Sequence, residues 1–128
     1  MERKHDIAGA DQAQWQRERD AQQRLLNRGA DQLEPRPWRP APVPPTAVDL
    51  TQYALWRSAE LTPDELLGAL TLLPAARAEL DGVEIGLLFT ARNEGLTWAQ
   101  IAEAMGFRSP QAVQQYVNRL SARQDKQS

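Results

Sequence analysis

The chain has 128 residues, with 15 basic and 17 acidic side chains, a formal net charge of -2 and no cysteine. This length supports one compact domain with appendages, and the lack of cysteine excludes disulfides, thiolate catalysis and cysteine-ligated zinc. The lone His5 cannot form a metal site by itself. The charged residues 1–6 do not form the apolar core of a signal peptide, and the most apolar stretch, 66–76, is too short to span a bilayer. We therefore expect a cytoplasmic protein with no membrane partner.

The first 34 residues are polar and are predicted to form an N-terminal arm. Between Gly9 and Gly29 the only large apolar residues are Trp15, Leu25 and Leu26, so a helix here would have little to bury. We predict an extended, partly disordered arm that could be helical over this stretch.

Residues 35–45 contain a high density of proline, which predicts an extended, polyproline-type linker. Two interpretations fit this composition. The segment is either a spacer, or a ligand whose prolines, with Trp38 and two arginines, dock into an aromatic groove of a partner protein.

Residues 46–74 are predicted to form accessory helices. Asp49 followed by Gln52 resembles a helix start, and Thr62 with Glu65 forms a capping box before a leucine-rich stretch. Pro74 ends or kinks that helix. Because these helices hold more apolar residues than a trihelical core needs, we predict that they form the seam of a homodimer.

A long helix is predicted from about residue 75 to residue 93, with Gly95 as its stop. Gly82 and Gly86 weaken it by about 1 kcal/mol each relative to alanine. No segment shows strand alternation, so the predicted fold class is all-α. Helical spacing predicts that this helix buries Leu80, Val83, Leu87, Leu88 and Ala91.

Residues 96–120 have the pattern of a helix-turn-helix, and we predict that residues 75–128 form a trihelical domain around it. Thr97 with Gln100 forms a capping box, Gly106 suits a left-handed helix end, and Ser109 can cap a helix that begins at Pro110. The predicted buried faces are Trp98, Ile101, Ala102 and Met105 on the first helix and Val113, Val117 and Leu120 on the second, with Phe107 in the turn.

Residues 106–112, Gly-Phe-Arg-Ser-Pro-Gln-Ala, closely resemble the turn and the start of the recognition helix in the DNA-binding domain of SOS-response repressors. The longer stretch 91–120 is similar to small actinobacterial helix-turn-helix proteins. The resemblance covers about a quarter of the chain. It implies a helix, 110–123, that enters the DNA major groove. Residues 121–128 are too few for the wing and protease domain that follow in the repressor, so we expect neither.

The side chains on the exposed face of the second helix are mostly short and polar. Such side chains are typical either of a solvated surface or of a surface that contacts bases. We predict that Arg108, Arg119 and Arg123 bind phosphates, together with Thr97 and Asn118, and so position the protein without reading sequence. The predicted base contacts are Ser109, Gln111, Ala112, Gln114 and Gln115.

The charge distribution favours DNA at one end of the chain. From Gly106 onward there are four cations and one anion, whereas the acidic excess lies in residues 41–80. No carboxylate is spaced with a histidine, a nucleophile or a glycine loop, so we expect no enzyme, no cofactor and no metal.

The sequence therefore predicts a dimeric, sequence-specific regulator of transcription that binds double-stranded DNA. The alternative is an adaptor whose arm and proline-rich linker bind a partner protein, with the helix-turn-helix as a scaffold.

Overall fold

The computed structural model describes the backbone of residues 2–127 and the side chains of residues 8–126. Its regular elements are α-helices, with short 3-10 turns at Ala30–Gln32 and Ser58–Glu60. Within the described range there is no strand, which confirms the all-α class; Arg36 and Arg39 form one isolated bridge. The helices are α1 (Glu2–Arg28), α2 (Ala47–Trp56), α3 (Pro63–Thr71), α4 (Leu73–Asn93), α5 (Trp98–Met105) and α6 (Pro110–Gln127).

The chain divides into two compact units, Met1–Arg77 and Ala78–Ser128, and the boundary falls inside α4. Each unit has its own buried cluster. None of the helices described is long and apolar enough to cross a membrane.

In the first unit, α1 packs against α2 and α3. Leu25 of α1 is fully buried, and Ala21 lies so close to Gly68 of α3 that a Cβ atom added there would be 3.3 Å from the Ala21 Cβ. The expectation that a helix at 9–29 has little to bury is therefore wrong for its C-terminal half, because two small residues let α3 approach closely. The arm for which partial disorder is predicted includes residues 1–7, and the side chains of these residues lie outside the described part of the chain. The buried cluster consists of Ala21, Leu25, Ala30, Leu50, Tyr53, Ala54, Leu61 and Leu72.

Capping boxes fix the starts of α2 and α3. At α3 the predicted box is confirmed: the Glu65 N–H donates to Thr62 Oγ1 (3.2 Å), and the Thr62 N–H donates to Glu65 Oε1 (2.9 Å). At α2 the cap is Thr46, and Asp49 is the third helical residue, whose carboxylate accepts from the Thr46 N–H at 2.9 Å. The helix thus begins earlier than the predicted Asp49–Gln52 pair implies.

The proline-rich segment folds around one buried arginine. Arg39 is 6% exposed; its Nε lies 2.8 Å from Asp49 Oδ2 without hydrogen-bond geometry, and its Nη2 donates to the Glu34 carbonyl at 2.9 Å. Arg36 and Arg39 also exchange two backbone hydrogen bonds. Turns thus interrupt the extended conformation predicted for residues 35–45, because the ion pair to α2 draws the segment inward. Trp38 lies in one of these turns and is 83% exposed.

In the second unit, α5 and α6 pack together with the part of α4 beyond residue 77. Gly95 ends α4 with a positive φ of 89°, as predicted. Leu88 is buried and Ile85 and Ala91 are partly buried, but Leu80, Val83 and Leu87 are 56%, 55% and 66% exposed. The prediction that these three residues are buried is wrong. Both faces of α4 are apolar, and the core takes the face that carries Ile85 and Leu88. The buried cluster consists of Leu88, Ile101, Ala102, Val113 and Leu120.

Candidate nucleic-acid interface

The start of α5 is set by Thr97. Its hydroxyl accepts from the Gln100 N–H (3.1 Å), and its own N–H donates to Gln100 Oε1 (2.8 Å). The Thr97 hydroxyl also lies 3.2 Å from the same Gln100 oxygen. Both polar groups of this predicted phosphate contact are therefore already partnered inside the helix.

A tight turn joins α5 to α6. Gly106 has a φ of 78°, and its N–H donates to the Glu103 carbonyl (3.3 Å), while the Phe107 N–H donates to the Ala102 carbonyl (2.8 Å). These two bonds form the motif that commonly ends helices at glycine. The Phe107 ring packs 5.1 Å from the Tyr116 ring, so the turn is attached to α6. Arg108 follows in the same connection and is exposed.

The start of α6 is capped by Ser109, whose Oγ accepts from the Ala112 N–H at 3.1 Å. The hydroxyl can still donate its own hydrogen. Ser109 and Ala112 are both partly buried, so these two predicted base contacts are less accessible than the glutamines that follow.

One face of α6 is polar and exposed. Gln111, Gln115 and Asn118 are spaced by four and three residues, which places them on the same side of the helix. Gln114 and Arg119 flank this stripe and are also exposed. Val113 and Leu120, on the opposite side, are fully buried. The structure thus brings five of the predicted contact residues together on one accessible face, which we call the α6 polar face: Gln111, Gln114, Gln115, Asn118 and Arg119.

Three side chains of α6 hold it against α4. The Tyr116 hydroxyl donates to Glu84 Oε1, and this hydrogen bond raises the pKa of Tyr116 above its usual 10.0, with burial adding to the effect. Gln124 Nε2 donates to the Ala78 carbonyl at 3.0 Å. Arg123 Nη2 lies 3.6 Å from Asp81 Oδ1, so this predicted phosphate contact already has an anionic partner. Together these contacts fix how α6 presents its polar face.

Arg92 is a cation that the sequence analysis did not single out. Its guanidinium stacks over the Trp98 ring at 4.8 Å, and Nη1 donates to the Leu96 carbonyl at 2.9 Å. Its side chain is exposed beside the start of α5. The spacing of six residues between Arg92 and Trp98 is not a helical contact spacing, so no local pattern indicates the pair.

No group of three or more acidic, histidine or cysteine side chains is close enough to hold a metal ion among the described residues. No protein-family model, curated protein or solved structure matches this chain.

Proposed function

We propose that the chain is a sequence-specific DNA-binding protein, with α5, the turn at Gly106 and α6 acting as a helix-turn-helix. The observation that supports this most directly is the α6 polar face, a row of amide side chains on a helix whose other side carries the fully buried Val113 and Leu120. A helix of this kind fits the major groove of B-form DNA. The SOS-repressor-like turn agrees with this assignment.

The chemistry of the α6 polar face suits base recognition. A glutamine amide can donate to N7 and accept from N6 of the same adenine, which is a bidentate contact. Gln111 and Gln115 occupy the exposed stripe nearest the N-terminus of α6, the part of a recognition helix that meets base edges. Arg108 and Arg119 are exposed on either side of this position and would bind phosphates.

Such binding would serve to regulate transcription at the nucleoid, in the cytoplasm, and we expect it to require two copies of the chain. The contact area of one such helix is small, and a chain with a net charge of -2 gains little from nonspecific attraction. Two copies on two half-sites, about one helical turn apart, would supply the missing affinity.

The first experiment tests sequence readout. The purified chain is selected against a randomised duplex library at near-physiological salt, and the Gln111→Ala, Gln115→Ala double variant is selected in parallel. We expect an enriched palindrome that the double variant no longer enriches. Its matched control is Gln12→Ala with Gln16→Ala, two glutamines with the same spacing on the exposed surface of α1. Enrichment of no motif by the wild-type chain would contradict the proposal.

The second experiment separates phosphate contacts from base contacts. Arg108→Ala with Arg119→Ala should weaken binding to every sequence and reduce the slope of log K against log salt by about 2, because each lost phosphate contact removes about 0.9. Arg17→Ala with Arg24→Ala, on α1, should leave the slope unchanged. An unchanged slope in the first pair would remove these arginines from the interface.

A second candidate function rests on Trp38. This ring is almost fully exposed in a turn that Arg39 anchors to α2, so it is presented by a folded segment. Such a residue suits a contact with a partner protein, as in an adaptor. Trp38→Ala should then abolish partner binding and leave DNA binding unchanged, whereas the Arg108→Ala, Arg119→Ala variant should do the opposite.

A further inference from the structure

The second unit carries an apolar groove between α4 and α5 that its own core does not fill. Leu80, Val83 and Leu87 of α4 are each more than half exposed, and Leu96 and Met105 are 41% and 37% exposed on the other wall. The groove has a volume of about 520 Å³. Soluble proteins rarely leave so many large apolar side chains together in water unless another surface covers them.

Each of the three polar side chains at the edge of this groove already has one intramolecular partner. Asp81 is paired with Arg123, Glu84 accepts from the Tyr116 hydroxyl, and the Gln100 amide oxygen accepts from the Thr97 N–H. Small-molecule sites usually combine apolar walls with a few free polar groups that orient the ligand. The three polar side chains that line this groove each already hold an intramolecular partner, and the other lining residues are apolar, so its chemistry suits an apolar protein surface.

We propose that the occupant is a second copy of this chain. The exposed residues Leu80, Val83 and Leu87 of α4, here called the α4 stripe, would sit against the α4 stripe of the other copy. This inference rests on the proposed function, which requires two copies on DNA. Covering the five exposed side chains in both copies removes on the order of 1,000 Å² from water, close to the lower limit of about 1,200 Å² for a stable interface. The dimer is therefore weak in free solution and is reinforced by paired half-sites.

The geometry of α4 suits a two-fold contact. Leu80, Val83 and Leu87 follow each other at three and four residues, so two antiparallel copies of the stripe present matching apolar surfaces. Gly86 borders the stripe, and among the described residues nothing beyond its own helix backbone lies within 4 Å of the position where its Cβ would be, so a partner helix can approach closely there. Among the residues whose side chains are described, none that lines the groove belongs to α6, so this contact leaves the α6 polar face free.

This seam differs from the seam predicted at residues 46–74. Leu67 and Leu70 of α3 are also exposed, at 60% and 58%, but they belong to the first compact unit. A contact through α4 and α5 lies in the same compact unit as α6 and so fixes the spacing of the two recognition helices directly.

Analytical ultracentrifugation of the full chain over a concentration series tests the proposal. We expect a reversible dimer of the 14.4 kDa chain, weakened about 100-fold or more in Leu87→Glu, because the dimer would bury two unpaired carboxylates. Two controls should dimerise as the wild type does. Phe89→Glu changes an equally exposed residue of α4 outside the groove, and Leu67→Glu changes the α3 face. Circular dichroism establishes that each variant is helical.

Cysteine cross-linking provides a readout that does not depend on a disruptive variant. The chain has no cysteine, so Val83→Cys introduces a single thiol at the centre of the stripe, and Phe89→Cys places one outside it. A disulfide requires Cβ atoms about 3.5–4.5 Å apart. Under mild oxidation we expect the Val83→Cys variant to form a covalent dimer much faster than Phe89→Cys.

Three outcomes would overturn the proposal: a wild-type chain that stays monomeric up to about 100-fold above its DNA-binding concentration range, a dimer that Leu67→Glu abolishes and Leu87→Glu does not, or equal cross-linking of both cysteine variants. The first outcome would leave the groove to a different protein. A dimer through Val83 that binds no DNA would contradict the proposed function and keep the seam. A chain that binds DNA as a monomer would keep DNA binding and contradict both the seam and the two-copy arrangement.

Discussion

Two carboxylates of the first unit, Asp49 and Glu65, each bind both a helix cap and an arginine. Arg39 is buried and is tied to Asp49, which itself closes the capping box of α2. One carboxylate therefore serves both the helix start and the proline-rich segment. Glu65 has a similar double role, because it accepts from the Thr62 N–H and lies 3.3 Å from Arg28 of α1.

The acid stability of the protein should depend in part on Glu65. The Thr62 N–H that donates to this carboxylate, aided by Arg28, holds the pKa of Glu65 below its ordinary value of 4.5. A lowered folded-state pKa means that the stabilisation is present above pH 4.5 and is lost as the pH falls through the folded-state value. We expect the melting temperature of Glu65→Gln to fall less than that of the wild type below pH 4.5. Parallel pH profiles for the two proteins would contradict this.

The turn before α6 should be sensitive to a Cβ atom at Gly106. The φ of 78° is strained for other residues, and no described residue other than its chain neighbours has an atom within 4 Å of the Cβ position, so the cost in Gly106→Ala is confined to the backbone. We expect a loss of about 1 kcal/mol in the free energy of unfolding, measured with urea. Gly82→Ala lies within α4, where the nearest described atom to its Cβ would be Gln124 Oε1 at an ordinary contact distance of 3.8 Å, and it should gain up to about 1 kcal/mol. Equal effects of the two changes would refute this explanation.

At the scale of elements, the helices of the second unit are joined by a small number of specific side-chain contacts. Tyr116 reaches from α6 to Glu84 on α4, and its ring also contacts Phe107 in the turn. This one residue therefore links the turn, α6 and α4. The orientation of the α6 polar face depends on such contacts as well as on the buried side of the helix.

Tyr116→Phe should weaken this link while keeping the ring contact. Losing the hydrogen bond to Glu84 should cost about 1 kcal/mol in the free energy of unfolding. Because the folded-state pKa of Tyr116 is raised, the stabilisation is complete below pH 10.0 and is lost as the pH rises through the folded-state value. In an ultraviolet titration, the wild type should show a tyrosine that ionises above pH 10.0, and this step should be absent in Tyr116→Phe. A titration curve unchanged by the substitution would contradict the assignment.

At the scale of the whole molecule, the two buried clusters belong to different compact units. Leu25 and Leu120 are each fully buried, one in each cluster. Residues 35–45, which the sequence predicts to be a linker, lie inside the first unit.

Cavities in the two cores should therefore act separately. Leu120→Ala should lower the stability of the second unit by about 3 kcal/mol, and Leu25→Ala should do the same for the first unit. Amide hydrogen exchange can report the two units independently. We expect each variant to lose protection in its own unit only. Loss of protection throughout the chain in either variant would show that the two units unfold as one.

The sequence by itself determined the features that depend on neighbouring residues. The capping boxes at Thr62 and Thr97, the left-handed turn at Gly106 and the buried side of α6 were all predicted, because each involves groups within about four positions of one another. The same periodicity placed Gln111, Gln114 and Gln115 on one exposed face.

The tertiary structure alone decided which of two apolar faces a helix buries. On α4 the core took Leu88 and left Leu80, Val83 and Leu87 in water, and on α1 it buried Leu25. Contacts between distant residues likewise engaged Arg123, which local spacing had left available for phosphate. Hydrophobic periodicity shows that a face is apolar, but the partner surface that removes it from water comes from elsewhere in the chain, or, as we propose for the α4 stripe, from a second copy.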